Sequence, residues 1–138
     1  MSLRPVRLAP RSDLRECVER LAMALPNGSG FVVSGVGSLS RARIRLADEA
    51  TGRDIPGPLE IISVAGSVSP DGAHLHIAIA DARGQVLGGH VCVGCEVRTT
   101  AELLVAGLAD HELAREFDEL TGFDELVVRP VRGPADRT

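Results

Sequence analysis

The amino-acid sequence predicts a compact single α+β domain, in which one main N-terminal helix accompanies a mostly antiparallel β-sheet. The first observation is length, because 138 residues suit one domain. The second is a helical spacing of apolar residues that is confined to positions 14–25. The third is the alternation of apolar and polar residues after position 30, which is typical of strands with one solvated face.

The N-terminal elements are a strand or arm over residues 1–11 and then the helix. Ser12 or Asp13 can cap this helix, and Glu16 stands three residues after Asp13, as in a capping box. Pro26–Gly28 ends it. The apolar positions recur at intervals of three and four residues and form one face: Leu14, Cys17, Val18, Leu21, Ala22 and Leu25.

The remaining elements are mostly strands. The period of two and the apolar runs predict strands at residues 31–36, 41–46, 59–68, 73–80 and 86–97. The apolar segment 100–108 could be a strand or a helix, and we favour a strand. Glycine and proline predict turns at residues 51–54, 56–58 and 69–72. We expect a short helical or irregular segment over 111–120, a last strand over 126–131, and a domain that spans residues 1–132 with a disordered tail at 133–138.

Composition argues against a nucleic-acid function. The formal net charge is −4, and all 15 basic residues are arginine. A nucleic-acid binder usually carries a basic surplus, because phosphate contacts provide much of its affinity. Trp and Tyr are absent, so aromatic side chains on which bases could stack are scarce. DNA is therefore a disfavoured partner, although a local patch of arginines could still bind it.

The cysteines and the N-terminus predict a cytoplasmic location. The chain has three cysteines, Cys17, Cys92 and Cys95, and an odd number without a signal peptide suggests reduced thiols. Residues 1–10 contain arginines but no long apolar run after them, which distinguishes them from a secretory signal. No segment approaches the length of a transmembrane helix, so we expect no membrane partner.

A histidine cluster is the most informative chemical feature. Side chains alternate between the faces of a strand, so His74 and His76 point the same way while Leu75 and Ile77 point towards the core. A three-residue loop at 82–84 fits a type I turn with a glycine bulge. Counting back from that loop sets His76 opposite His90, and opposed residues share a face.

Three converging imidazoles predict a metal site. Zinc accepts histidine nitrogens, and three protein ligands with one open position form the catalytic type of zinc site. The same register sets Cys92 opposite His74, and Cys92 as a fourth ligand would make the site structural. The alternatives are a solvated polar face of the sheet or histidines in a subunit interface. A bulge at Gly88 or Gly89 would change the register.

Glu60 is the candidate catalytic residue outside this cluster, because it lies in the apolar strand 59–68. A carboxylate in that position is at a sheet edge, pairs with an arginine across an interface, or is functional. If functional, it could act as a general base near the metal or orient a ligand histidine. The Cys92–Cys95 motif lies in the predicted strand 86–97 without a second pair, so we expect buried thiols and not a redox or zinc-ribbon site.

Several segments together resemble the plants-and-prokaryotes-conserved domain. The sequence LEIISVAGS at 59–67 is followed by HLHI at 74–77, by Asp81 and Gly84, and by GGH at 88–90. The upstream GVGS at 35–38 and the downstream FDELTGF at 117–123 are similar to prokaryotic members of the family. The resemblance covers roughly residues 4–130, by the order and spacing of its pieces.

The resemblance implies a compact α+β fold that assembles as a homotrimer. In plants the domain follows AT-hooks in nuclear DNA-binding proteins, where it mediates association with itself and with partners. This chain lacks the Arg-Gly-Arg-Pro core of an AT-hook, so the DNA-binding role transfers poorly. The histidine-rich form of the hairpin implies bound zinc at His74, His76 and His90, the matching positions.

The sequence therefore predicts a trimeric cytoplasmic metal-binding domain, without identifying a substrate. If the domain is an enzyme, zinc-assisted hydrolysis of a small carbonyl or ester compound is the expected reaction, with Glu60 as the first residue to test as base. The alternative is a DNA-associated or protein-interaction scaffold without catalysis, acting through trimer contacts. A third reading is a sensor that binds a small ligand in the histidine pocket.

Overall fold

Eight strands and one α-helix follow one another in the computed structural model, which describes residues 1–131. The predicted tail at 133–138 and the predicted domain boundary at residue 132 lie outside the described residues. A short 3-10 turn at Pro26–Gly28 links the helix to the second strand. The elements are β1 (Ser2–Leu8), α1 (Leu14–Ala22), β2 (Gly30–Arg45), β3 (Arg53–Ser69), β4 (Gly72–Ala80), β5 (Val86–Val91), β6 (Glu96–Gly107), β7 (His111–Asp118) and β8 (Phe123–Pro130).

The sheet is antiparallel and bends back on itself. Six strands follow the order β1-β6-β2-β3-β4-β5, and β7 and β8 form a separate two-stranded sheet. The end of β2 also pairs with β5, through Ile44 with Val91 and Arg45 with His90. This extra pairing joins β2, β3, β4 and β5 into a closed ring of strands. The predicted α+β class, with a mostly antiparallel sheet and one helix in a single compact domain, is confirmed.

The helix forms as the apolar spacing predicts. Asp13 is the N-cap, because its Oδ1 accepts a hydrogen bond from the backbone N–H of Glu16 at 3.0 Å. Its Oδ2 accepts a second bond from the N–H of Gly94 at 2.7 Å, which ties the helix to the turn before β6. The side chains that α1 buries are Leu14, Val18 and Ala22. No helix within residues 1–131 has the length and apolar character that crossing a membrane requires.

The core is aliphatic, as a chain without Trp or Tyr requires. Its largest fully buried side chains come from the helix and from five strands: Leu14, Leu39, Ile44, Leu59, Leu75 and Ile79 are examples. Full burial of each such side chain contributes about 1.5–3 kcal/mol. Because Leu75, Ile77 and Ile79 face this core, the alternate positions of β4 face outward, and these include His74 and His76.

Two predictions around β2 and β3 are wrong. Residues 31–36 and 41–45 belong to one continuous strand, and the predicted turns at 51–54 and 56–58 lie largely inside β3. The β2–β3 register shifts between Leu39 and Arg41, opposite Pro56. Such an irregularity tolerates proline, which cannot donate a ladder hydrogen bond. Turn-forming residues in this segment therefore mark a bulge and not the end of a strand.

The predicted strand 86–97 is too long. It ends at Val91, and a turn follows in which Gly94 has a φ of +118° and the N–H of Cys92 donates to the carbonyl of Arg43 at 3.0 Å. The Cys92–Cys95 motif therefore spans a turn instead of lying in a strand. All three cysteines are free thiols, and Cys95 is fully buried, as expected for a thiol in the core.

The prediction of a helical or irregular segment at 111–120 is also wrong. Residues 111–118 form β7 and pair along their whole length with β8. The turn between them is fixed by Asp118, whose backbone carbonyl accepts from the N–H of Gly122 at 2.8 Å, and Gly122 has a φ of +77°. Charged residues interrupt the apolar alternation in β7, so strand pairing and not local pattern decides its conformation. The predicted last strand 126–131 corresponds to β8.

Candidate metal centre

The three predicted histidines converge on the outer face of the β4–β5 hairpin. His76 lies opposite His90 in the register, as predicted. The ring centroid of His74 lies 4.9 Å from that of His76 and 4.9 Å from that of His90. One potential ligand nitrogen from each ring lies within 4.8 Å of the other two. Tetrahedral zinc holds its histidine nitrogens about 3.3 Å apart, so small side-chain rotations would close the site.

The hairpin turn sets this register by local hydrogen bonds. The N–H of Asp81 donates to the carbonyl of Gln85 at 3.0 Å, and the N–H of Gly84 donates to the carbonyl of Asp81 at 2.9 Å. Gly84 has the positive φ that the predicted bulge requires, +76°. The Asp81 carboxylate also accepts from the N–H groups of Arg83 and Gln85. The predicted three-residue loop is therefore present, and Gly88 and Gly89 do not disturb the pairing.

The environment of the rings favours their neutral, metal-binding form. Burial lowers the pKa of His90 from 6.5 to about 4, and His74 and Arg45 act in the same direction. Burial, then the charge of Arg115, also lowers the pKa of His74. Neutral imidazole is the form that offers a nitrogen lone pair to a metal. At neutral pH the two rings therefore present donors without first losing a proton.

An unsatisfied atom also fits a metal. Nδ1 of His90 is buried and has no hydrogen-bond partner among the described residues. A buried polar atom without a partner costs about 1–3 kcal/mol. A metal ion would remove this cost by accepting the lone pair. The residues present are therefore a suitable set of donors for a divalent ion that prefers nitrogen.

The predicted position of Cys92 is wrong. Because β5 ends at Val91, Cys92 does not pair with His74, and its thiol lies 3.9 Å from the backbone carbonyl of His90. Among the described residues, the cluster of potential metal ligands consists of the three histidines and does not include this thiol. The structure therefore offers three protein donors at this position and not four.

Glu60 lies apart from the histidines. It pairs with Ala80 and Ser38, and its exposed side chain borders a surface depression with Arg98 and Thr99. His76 pairs with Ala65, five positions further along β3. At about 3.3 Å per residue, Glu60 is roughly 15 Å from the histidines within one chain.

Three arginines surround the triad, and the pattern of the sequence does not single them out. Arg45 lies opposite His90, while Arg15 of α1 and Arg115 of β7 border a cleft with His74. The only local signal is that Arg45 lies on the solvated face of the predicted strand 41–46, one residue before its end. The position of Arg45 beside His90 depends on the pairing of β2 with β5, which the sequence of neither strand predicts by itself.

The family profile of the Plants and Prokaryotes Conserved (PCC) domain matches residues 2–109, a span that includes all three histidines. The chain belongs to this family. Within the described residues, the β7–β8 sheet lies beyond the matched part of the PCC domain.

Relatives of this PCC domain occur as parts of longer proteins. The chain is 46% identical over 133 residues to the bifunctional protein GlmU of a Synechococcus species, covering 96% of this chain and 21% of that protein. It therefore spans about a fifth of the length of this curated relative. The two activities in that name belong to a protein about five times as long.

Solved structures share the fold of this PCC domain. A hypothetical protein from Salmonella cholerae-suis is 30% identical, with a TM-score of 0.88 and 94% of each chain covered. A metal-containing protein from Archaeoglobus fulgidus is 27% identical, with a TM-score of 0.78 and coverage of 92% and 94%. A candidate DNA-binding protein from Ralstonia eutropha is 22% identical, with a TM-score of 0.76 and 89% of each chain covered, a likeness of fold alone.

Proposed function

We propose that this PCC domain binds one zinc ion per chain through His74, His76 and His90. The observation that carries the proposal is the convergence of three potential ligand nitrogens, one from each ring, within 4.8 Å of one another. In addition, the buried Nδ1 of His90 has no hydrogen-bond partner among the described residues. The similar protein from Archaeoglobus fulgidus, which is metal-containing, supports the same reading. Neutral imidazoles suit zinc better than the hard cations Mg²⁺ and Ca²⁺, which prefer oxygen.

Three protein ligands would leave one coordination position for a small molecule. Zinc in such a site supplies Lewis acidity and activates water near neutral pH. The β4–β5 hairpin would hold two ligands on one strand and the third directly opposite, so the site needs no loop to close. If the domain is catalytic, this chemistry suits hydrolysis of a small carbonyl or ester compound.

Elemental analysis of untagged protein tests the metal. We expect about one zinc per chain in the wild type, loss of that zinc in His90→Ala, and retention in His111→Ala. His111 is the matched control, because it is the fourth histidine and lies on β7, outside the cluster. Circular dichroism of each variant checks folding. A wild type without metal, or a His90→Ala variant that keeps full zinc content, contradicts the proposal.

We also propose a homotrimer in the cytoplasm. Val36 and Ile62 are 46% and 52% exposed, and continuing the register from Gly37 with Ile61 sets them opposite each other on β2 and β3. Adjacent exposed apolar side chains suit a subunit interface. The three free thiols suit a reducing compartment.

Light scattering tests the assembly. We expect three chains per particle for the wild type and smaller particles for Val36→Asp and Ile62→Asp. Leu120→Asp is the control, because Leu120 is 96% exposed and lies in the turn between β7 and β8, outside the six-stranded sheet. A monomeric wild type contradicts the trimer.

Glu60 remains the proposed general base if the domain is catalytic. Its separation from the histidines of the same chain exceeds hydrogen-bond reach, so it would act on the site of a neighbouring copy. Glu60→Gln should then lower ester hydrolysis without changing zinc content. Hydrolysis at the wild-type rate in this variant would exclude the role.

A second candidate function is a DNA-associated or protein-interaction scaffold. The likeness of fold to the Ralstonia eutropha protein favours it, while the net charge of −4 weighs against it. Fluorescence anisotropy with labelled duplex DNA at several salt concentrations separates the two functions. Affinity that falls steeply with salt supports DNA binding. Equal anisotropy with and without protein at low salt leaves the metal-binding function as the better supported one.

A further inference from the structure

Arg45 belongs to the same row of side chains as two of the candidate ligands. It lies opposite His90 in the β2–β5 pairing, and His90 lies opposite His76 in the β4–β5 pairing. Directly opposed residues of neighbouring strands share one face of the sheet. The guanidinium therefore stands on the side of the sheet where the imidazoles converge.

A small cleft separates Arg45 from the rings. Its volume is about 230 Å³, which suits a ligand group of a few non-hydrogen atoms. Apart from the two candidate ligand histidines, Arg45 is the one ionisable residue that lines it. The lining consists of Arg45, Leu46, Ala47, His76, Gly89 and His90.

The charge of Arg45 has no carboxylate partner. Its Nη1 donates to the backbone carbonyl of Glu49 at 3.3 Å, and the Glu49 carboxylate pairs with Arg53. Within residues 1–131, no acidic side chain lies within salt-bridge distance of the Arg45 guanidinium. A half-buried arginine that lacks an acidic partner is available for a charge-assisted bond to an anion.

The opposite side of the triad is electrostatically mixed. Arg15 is paired with Glu19 at 2.9 Å, and the Arg115 guanidinium donates to the Ser67 hydroxyl at 2.7 Å. Two aspartates also line the cleft on that side. An incoming anion would meet carboxylates there, but it would meet none among the residues that line the Arg45 cleft.

We propose that the Arg45 cleft binds a small oxyanion, a carboxylate or phosphate group, whose oxygen would face the open coordination position while the guanidinium binds it from the other side. This inference rests on the proposed zinc site and names the class of its ligand. Arginine presents two parallel N–H donors that match the oxygens of either group. A divalent ion held by three neutral histidines carries a net positive charge, which favours the same class of ligand.

Amide NMR titration of the zinc-loaded protein tests the proposal with three probes. Acetate represents carboxylates, inorganic phosphate represents phosphates, and acetamide is the neutral analogue of acetate. We expect at least one anion, but not acetamide, to displace the amide signals of Leu46 and Gly89, which line the cleft. Whichever anion binds more tightly identifies the preferred group.

Two variants separate the guanidinium from general charge effects. Arg45→Gln should weaken the tighter anion about tenfold to a hundredfold, the usual effect of losing a hydrogen bond between charged groups. Arg83→Gln removes the same charge from the exposed hairpin turn and should leave the affinity unchanged.

Zinc content measured on the same samples distinguishes the two proposals. Full zinc content with equal anion affinity in wild type and Arg45→Gln overturns the anion site and leaves the metal site intact. If neither anion binds to the zinc-loaded wild type, the anion site is likewise overturned and the metal site is left intact. Wild-type protein that cannot be loaded with zinc overturns both proposals.

Discussion

Acidification should destabilise the metal-free protein through His90. The pKa of this residue is lowered from 6.5 to about 4 in the folded state, first by burial and then by the charges of His74 and Arg45. The unfolded chain therefore binds a proton at His90 before the folded protein does. Above pH 6.5 the residue leaves the free energy of unfolding unchanged, and that free energy falls as pH decreases from 6.5 towards 4.

The size of the effect follows from the same pKa values. The full difference corresponds to at most about 3 kcal/mol, and solvent screening of the partly exposed ring reduces it to about 1–2 kcal/mol. Between about pH 7 and about pH 5 we expect His90 to account for about 1 kcal/mol. His74, whose pKa is also lowered, acts in the same direction.

Urea unfolding in the presence of a chelator measures this loss. The wild type and His90→Gln are compared at about pH 7 and about pH 5, where most carboxylates stay ionised. The wild type should lose about 1 kcal/mol more than the variant on acidification. An identical loss in both proteins would refute the argument that His90 is buried in its neutral form.

Three further predictions concern stability and reactivity. Burial raises the pKa of Cys95 to about 11, so iodoacetamide at about pH 8 should modify this buried thiol about a hundredfold more slowly than in the urea-unfolded chain, and more slowly than the partly exposed Cys92, as mass spectrometry would show. Gly66→Ala should lower the unfolding free energy by more than about 2 kcal/mol and reduce zinc content, because the new Cβ would overlap the backbone carbonyl of His74. Asp13→Ala should cost about 1–2 kcal/mol in urea unfolding, because it removes the helix cap and a second bond to a backbone N–H.

Each of these predictions has an outcome that contradicts it. Equal modification rates for the two thiols would mean that the buried thiol becomes accessible by frequent local opening. A Gly66→Ala protein with wild-type stability and zinc content would mean that β3 and β4 can separate without loss. An Asp13→Ala protein with the wild-type free energy of unfolding would mean that water replaces both hydrogen bonds.

The histidine site was predictable because its geometry is local. The loop at 82–84 fixes the pairing of the two strands beside it, and alternation along each strand then decides which side chains meet. The connection of residues 81–85 sets Ala80 opposite Val86, and four further steps along the ladder set His76 opposite His90. The same counting failed for Cys92, because the pairing of β4 with β5 ends at His76 and His90, and β5 itself ends at Val91.

The parts of the fold that sequence did not predict depend on distant partners. The segment 111–118 has no clear period, and it becomes a strand because β8 supplies the hydrogen bonds. Pro56 and Gly57 are typical of a turn, yet the shifted register of β2 and β3 accommodates them within a strand. Local propensity is overridden in both places by pairing with another segment.

The two proposals for the metal centre rest on different levels of structure. The ligand set comes from one hairpin, so it needs only the local pairing of β4 with β5. Arg45 reaches the site only because the end of β2 closes the ring of strands against β5. A substitution that disturbs this closure without unfolding the hairpin should therefore change which anion is bound before it changes how much zinc is bound. Metal content and anion affinity would then vary independently, as expected if the hairpin binds the zinc ion and the closed sheet positions the arginine that selects the anion.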